Sequence, residues 1–282
     1  MKSNHKLACW MVVRDDAYYV DMAIKSVLPY VDGFYILDNG SADGTIEIIE
    51  SFNSDKIVLE KIKYDFPVNK NHVELQLRFP PYFTWNEEYD GNCLEAQTRN
   101  ICVKNCTEVF NPDWLIQLDS DEVYTKLFFE TLAKLDLSNL EAVQHSTDLF
   151  LGTQHIARQP EIWQGEKHDP HHRSWKGKLN VKWSRPNRNE HVIPVMMPGE
   201  RWFGGNSAQW IDGIVHIHLH RMFGPKSTGL WNVIKSDDGQ VRVEPVDKTL
   251  FKKLCSNAKK VDFDWDKELP FVIEKWREWG VW

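Results

Sequence analysis

Leu115-Ile-Gln-Leu-Asp-Ser-Asp-Glu122 is an apolar run that stops abruptly in acid. With Trp114 before it, the apolar part has the character of a strand buried on both faces, and such strands expose only their ends. Three carboxylates placed directly after it fall at the mouth of a sheet, where open α/β sheets bind ligands. Asp119 and Asp121 flank the small Ser120, so both can turn toward one hard divalent cation, an ion that takes oxygen ligands and leaves room for phosphate oxygens. A cation held there neutralises a diphosphate. The competing reading is structural: the acids cap a helix that begins near Thr125. A single Asp-x-Asp does not choose between the two.

Upstream, Leu7-Ala-Cys-Trp-Met-Val-Val13 predicts another fully buried strand, interrupted by Arg14-Asp-Asp16. Tyr19, Val20, Ala23, Ile24, Val27 and Leu28 then recur at helical spacing, with Asp15 or Asp16 expected to cap the start and Pro29 to mark the end. Phe34-Tyr-Ile-Leu-Asp38 predicts a second strand. Asn39-Gly-Ser-Ala-Asp-Gly-Thr45 is a polar turn into a helix whose Ile46, Ile49 and Phe52 face inward, and Lys56-Ile-Val-Leu-Glu-Lys-Ile62 a third strand. Asp38 lies at a strand's carboxyl end, where its carboxylate either binds the backbone of its own turn or recognises a base. The pattern β-α-β-α-β with right-handed crossovers makes a nucleotide-binding half of a doubly wound sheet. No Gly-x-Gly-x-x-Gly loop follows the first strand, which argues against a dinucleotide fold and leaves the phosphates in need of another counter-charge.

Residues 64–91 are irregular and aromatic, and a loop that long inside a domain serves binding or covers a site. A helix over residues 92–108 is expected to turn Leu94, Thr98, Ile101, Cys102 and Val109 to one side, with Cys102 and Cys106 as core residues rather than ligands.

Composition narrows the class. The 282 residues can bury a large core, and no Pro/Gly/Ser-rich linker divides them, so one domain over 1–282 is expected: a nucleotide-binding half (1–125), an acceptor half (126–246) and C-terminal helices (247–282). A net charge of −7 argues against a broad phosphate-binding face, so nucleic acid is not the expected partner. The 5 cysteines form no Cys-x-x-Cys pair, and their odd number fits reduced thiols. No signal-like or bilayer-spanning apolar run is visible, and a soluble cytoplasmic protein is the expectation. Thirteen tryptophans (13) suit stacking on sugar rings as well as an ordinary core.

The order of these pieces resembles that of the family 2 glycosyltransferases and their relatives with the GT-A fold. The likeness is carried by the first strand and helix through Ser26-Val-Leu28, by Leu37-Asp-Asn-Gly-Ser-Ala-Asp-Gly-Thr45, by Ala96-Gln-Thr-Arg-Asn100, and by Asp113-Trp-Leu-Ile-Gln-Leu-Asp-Ser-Asp-Glu122. The fold it implies is α/β: a GT-A, Rossmann-like mixed sheet flanked by helices. It also implies that Asp38 contacts the nucleotide base, that Arg99 lies beside the nucleotide, that Asp119 reaches ribose or metal, and that Asp121 is a direct metal ligand. Arg14, just past the first strand, joins the expected nucleotide-sugar-binding residues. Asn39 stands where many relatives have a second Asp, and an amide can donate where a carboxylate only accepts.

In the second half, Leu127, Phe128, Leu132 and Leu135 predict a helix, and residues 142–151 a returning strand. His168, Asp169, His171 and His172 form either a metal-like cluster or an exposed Asp-Pro-His-His turn. Trp175-Lys-Gly-Lys-Leu-Asn-Val-Lys-Trp-Ser-Arg-Pro186, followed by Glu190-His191, is loosely similar to a Lys-x-x-Val-x-x-Pro segment with a downstream His in some of these transferases. Ile214-Val-His-Ile-His-Leu-His-Arg221 alternates with period two, sending His216, His218 and His220 to one face, which is either merely solvated or functional. Relatives often supply a late His as a further ligand to the ion held by the Asp pair; His216 aligns best with it, and His218 is the alternate. A neutral imidazole beside carboxylate suits Mn²⁺ better than Ca²⁺, and Mg²⁺ is the alternate cofactor. Residues 248–255 and 267–282 read as two helices, docked on the core through Phe271, Ile273, Trp276 and Trp279.

The expected activity is transfer of a sugar from a nucleotide-sugar donor to a hydroxyl acceptor, a glycan above all, with metal and arginine stabilising the departing diphosphate. Inversion, the expected course, needs a carboxylate to take the acceptor's proton; Glu190, beside His191, is the first candidate, with Asp169 and Asp212 behind it. The rivals are nucleotidyl transfer on the same fold and a catalytically silent glycan-binding protein.

Overall fold

Alternate residues of β1, Leu7–Val13, feed two different cores. Leu7, Cys9, Met11 and Val13 join one apolar cluster, Ala8 and Trp10 the other, as a strand covered on both faces requires. The computed structural model describes residues 4–62, 94–151, 155–158, 173–184, 193–196, 208–219, 231–235, 241–245 and 259–278. β1 is followed by α1 (Val20–Val27), β2 (Gly33–Asp38), α2 (Thr45–Ser51) and β3 (Ile57–Lys61), then by α3 (Leu94–Phe110) and β4 (Trp114–Gln117). After it come β5 (Glu122–Tyr124), α4 (Lys126–Leu132), β6 (Ala142–Gln144), β7 (Asp148–Leu151), β8 (His155–Arg158), β9 (Ser174–Lys176) and β10 (Val181–Ser184). The remainder is β11 (Ile193–Met196), β12 (Ala208–Trp210), β13 (His216–His218), β14 (Trp231–Lys235), β15 (Val241–Pro245), β16 (Lys259–Lys260), α5 (Trp265–Glu268) and α6 (Pro270–Glu278).

The larger sheet runs β12-β6-β9-β4-β1-β2-β3. Its β3, β2, β1 and β4 are mutually parallel, and β9 enters antiparallel beside β4, so the expected mixed α/β sheet flanked by helices is present. The chain moves outward from β1 through α1 and α2 on one face, then returns to the other side of β1 through α3 on the opposite face. Right-handed crossovers force that change of face when the direction of travel reverses. The carboxyl ends of β1 and β4 therefore flank a topological switch point, where such sheets open a crevice.

A second sheet, β16-β8-β7-β13-β5, begins where the acid motif ends. β5 pairs antiparallel with β13, setting His218 opposite Glu122 and His216 opposite Tyr124. Val123 and Ile217 from this sheet, and Leu219 just past β13, pack with Tyr19 and Met22 of the β1–α1 segment and with Trp265, Val272, Ile273 and Trp276 of the last two helices. The second of the two expected C-terminal helices docks on the core over its described residues, but it is broken: α5 is capped by Asp264, which accepts from Lys267 N at 3.1 Å, and Pro270 opens α6.

Several local expectations need correction. Asp15 and Asp16 do not cap α1; its N-cap is Tyr19, without a side-chain bond, and Asp15 and Asp16 turn instead toward the β2–α2 turn and Ser120. α3 buries Thr98, Cys102, Val103 and Cys106 while Ile101 and Val109 stay exposed, so the inward face lies about one residue round from the expected one. Its two cysteines are core, as expected. Residues 142–151 are not one strand. They break at the buried His145, Ser146 and Thr147, where the chain leaves the first sheet for the second. Residues 64–91, 168–172 and 248–255, and Glu190, His191, His220, Trp279 and Trp282, lie outside the described residues.

Candidate active site at the sheet mouth

Asp119, Ser120, Asp121 and Glu122 form a tight turn between β4 and β5, closed by Glu122 N donating to Asp119 O at 3.1 Å. The acids do not cap the following helix: Thr125 occupies that position and its hydroxyl donates to Ile214 O at 2.9 Å. Each of the motif's side chains has a separate destination.

Asp119 turns to two guanidiniums. Arg99 Nη1 donates to its Oδ1 at 3.0 Å and Arg173 Nη1 to its Oδ2 at 2.8 Å. Burial by itself would raise the Asp119 carboxyl, but Arg99 and then Arg173 outweigh it and hold the group far below the usual carboxylate range. Arg99 is itself fixed from behind by the Trp183 ring, 4.7 Å from its guanidinium carbon. Asn100, the next residue, clamps Trp183 by its backbone, accepting from its N–H at 2.7 Å and donating to its carbonyl at 3.0 Å.

Glu122, fully buried, is the hub. Its Oε1 accepts from Arg173 Nη2 at 2.7 Å; its Oε2 accepts from Asp119 N at 3.1 Å and lies 3.1 Å from His216 Nε2. Burial opposes its ionisation, and Arg173 foremost, with His216 beside it, reverses that and holds it below its ordinary value. His216 has no exposed surface. Its Nδ1 lies 3.0 Å from Thr147 Oγ1 and its ring stacks on Tyr124 at 4.5 Å.

Asp121 turns the other way, to His218, whose Nε2 stands 3.2 Å from its Oδ2; the two side chains keep 21% and 15% of their surface exposed. Leu219 N donates to Asp121 O at 2.7 Å, so the backbone joins this pair as well. Thus the acid motif and the histidine strand, almost a hundred residues apart in sequence, meet. His218, the alternate of the sequence reading, is the one that reaches Asp121, while His216 meets Glu122. Among the described residues no group of three or more His, Cys, Asp or Glu is placed to hold an ion.

Arg173 escaped the sequence reading. It precedes β9, and because β9 runs against β4 its start lies at the site end, where Gln117 N donates to Arg173 O at 2.7 Å. The one signal available was a charged residue just ahead of the buried Ser174-Trp175.

The loops beside the motif are laced together. Ser120 Oγ donates to Asp16, Asp15 N to Ser41 Oγ at 2.9 Å, Asp16 N to Thr45 Oγ1 at 2.8 Å, and Ala42 N to Asp15 Oδ1 at 2.7 Å. Asp15 takes a left-handed backbone, φ 50°, within this lacing. Asp38 is buried and accepts from Gly40 N at 3.0 Å and Ser41 N at 3.2 Å, so its carboxylate shapes its own turn. Arg14 is about one-third exposed and lies 3.6 Å from Asp15. Asp212, exposed in the segment between β12 and β13, accepts from Trp210 Nε1 at 3.0 Å. Asp169 and Glu190 fall outside the described residues.

No family model matches the chain, and no curated protein sequence matches it. Among solved structures it is similar to glucosyl-3-phosphoglycerate synthase from Mycobacterium tuberculosis. The complex of that enzyme with Mn²⁺ and uridine-diphosphate-glucose aligns with a TM-score of 0.43 at 11% identity, over 86% of this chain and 88% of the enzyme. Its complex with Mn²⁺, uridine diphosphate and glucosyl-3-phosphoglycerate gives 0.42 at 11% identity, over 87% and 89%. Its complex with phosphoglyceric acid gives 0.37 at 13% identity, over 63% of this chain and 58% of the enzyme. Identities and scores this low assign no role to any residue of this chain.

Proposed function

We propose that this protein transfers a sugar from a nucleotide-sugar donor to a hydroxyl acceptor, a glycan above all, on a GT-A-type sheet with a divalent cation, Mn²⁺ or Mg²⁺, at Asp121 and His218. The observation that carries the reading is the Asp121–His218 pair at the switch point, beside acids already neutralised by arginine. Two ligands on adjacent corners of an octahedron with bonds of about 2.1 Å stand about 3 Å apart, and this carboxylate and imidazole are 3.2 Å apart. An O/N donor pair with both members part-exposed fits such an ion, and phosphate oxygens are the natural companions for its remaining positions.

When bound, the cation would supply positive charge to the diphosphate leaving group. The chain's own residues do the rest. Arg99, clamped by Trp183 and Asp119, presents a fixed guanidinium beside the nucleotide; Arg14 is the second basic group at the rim. The Asp38 turn forms the wall against which the base is received. Fixed charges of this kind need no reorganisation as the leaving group forms, and that is the source of their effect. Glu190 is assigned to take the acceptor's proton, and Glu190→Gln tests it.

Incubation with a panel of nucleotide sugars and Mn²⁺ should release nucleoside diphosphate in the presence of acceptor, and Asp121→Ala should abolish that release. Undiminished release by Asp121→Ala overturns the assignment of the cation. Sugar affinity with no turnover on any donor identifies a silent binder instead.

A further inference from the structure

We infer that Arg173, Glu122 and His216 form a buckle that sets the spacing of the Asp121–His218 pair, acting as positioning residues for a cation that none of them touches. The inference rests on the reading in which Asp121 and His218 hold that cation.

The two members of the pair come from different elements, so something must fix one element against the other. Glu122 does so from the centre. It is covalently next to Asp121, and its Oε2 meets His216, which is two residues from His218 on β13. Its other oxygen is held by Arg173, whose second nitrogen holds Asp119 on the near side of the same turn. One planar guanidinium therefore spans both ends of the four-residue turn, one terminal nitrogen bonded to each carboxylate, a fixed spacing that an ammonium cannot reproduce. Arg173 is itself anchored by its backbone to the end of β4. On the far side, Thr147 Oγ1 meets the remaining nitrogen of His216 and fixes the direction of the ring. Every side chain in this chain of contacts is at least nine-tenths buried except Asp119, so the arrangement is not loosened by solvent. Buried ion pairs are weak contributors to stability for their cost, and fixing one conformation is the role best attested for them. Partners behind a metal ligand orient it, and their loss typically weakens metal affinity about 10–100-fold.

The test is a Mn²⁺ titration read by the electron-paramagnetic-resonance signal of free Mn²⁺, with and without uridine diphosphate, on the full chain. Arg173→Lys, which keeps the charge and loses the fork, and Glu122→Gln, which keeps the shape and loses the charge, should each bind Mn²⁺ about 10–100-fold more weakly at a temperature where circular dichroism shows them folded. Thr147→Val removes one hydroxyl far from solvent and serves if either of the others fails to fold; it should weaken binding about tenfold. Gly177→Ala, at the opposite end of β9, is the control for destabilisation alone and should bind Mn²⁺ as the natural protein does. Asp121→Ala should lose Mn²⁺. If Asp121→Ala loses the ion while the three buckle variants stay within threefold of the natural protein, the buckle is refuted and the cation site stands. If Asp121→Ala binds Mn²⁺ undiminished, or the natural protein binds none, the cation site falls and the buckle with it.

Discussion

Replacing Arg173 by Met removes the charge shared by the buried Glu122 and the part-exposed Asp119, and leaves Asp119 with Arg99 alone. The Arg173 side chain is 7% exposed and Glu122 1%, and the two bonds it makes are 2.7 and 2.8 Å long. Removing one partner of such a pair leaves an uncompensated buried charge and costs about 3–5 kcal/mol. At about 2.1 cal/mol/K of unfolding entropy per residue, a 282-residue chain that melts in one transition has about 0.6 kcal/mol/K, so Tm should fall by about 5–8 °C. The pH dependence gives a sharper result. In the natural protein the Asp119 and Glu122 carboxyls are both depressed, so their contribution is complete above the unfolded values near pH 4 and is lost only as pH falls below that. Without Arg173, burial dominates at Glu122 and raises its carboxyl above the unfolded value. The folded state then binds the extra proton, and stability rises as pH falls from 7 toward 5. Calorimetry of both proteins at pH 5, 6 and 7 in the presence of a chelator reads this directly: the gap in Tm should narrow toward pH 5. A gap that is below about 2 °C at pH 7, or that widens on acidification, would refute the placement of Arg173 between the two acids.

The two histidines of β13 should differ in what their loss does to the stability of the fold. His218→Ala should barely change Tm and should raise the Mn²⁺ needed for nucleoside-diphosphate release about 10–100-fold, whereas His216→Ala, stripping a fully buried ring from Tyr124, Thr147 and Glu122, should destabilise the fold by about 2–4 kcal/mol in thermal melts. Gly177→Ala would place a Cβ 2.3 Å from Pro112 O, a backbone atom that cannot step aside; a cost of about 1–3 kcal/mol in denaturant unfolding is expected, with activity per folded molecule unchanged. Trp183→Leu removes the ring behind Arg99 and should raise the KM for the donor while leaving Mn²⁺ affinity unchanged.

The sequence by itself determined the four parallel strands β1 to β4 of the larger sheet and the place of the acids. β1, β2 and β4 fall within a residue or so of the apolar runs that predicted them, because strands covered on both faces need unbroken apolar side chains and little else in the chain has that form; the half-buried edge strand β3 also falls within a residue of its run. It also determined that His216 and His218 share a face, since period two is a property of any extended strand. Only the tertiary structure decided which acid meets which base. The three-residue β5, the break at His145-Ser146-Thr147 and the antiparallel entry of β9 are too short or too polar to leave a periodic signal. Yet it is the register of β5 against β13 that gives His218 to Asp121 and His216 to Glu122, and the direction of β9 that brings Arg173 to the site. Burial patterns are written locally along the chain; pairings between distant charges are set by strand direction and register, which the surrounding residues fix together and no single stretch encodes.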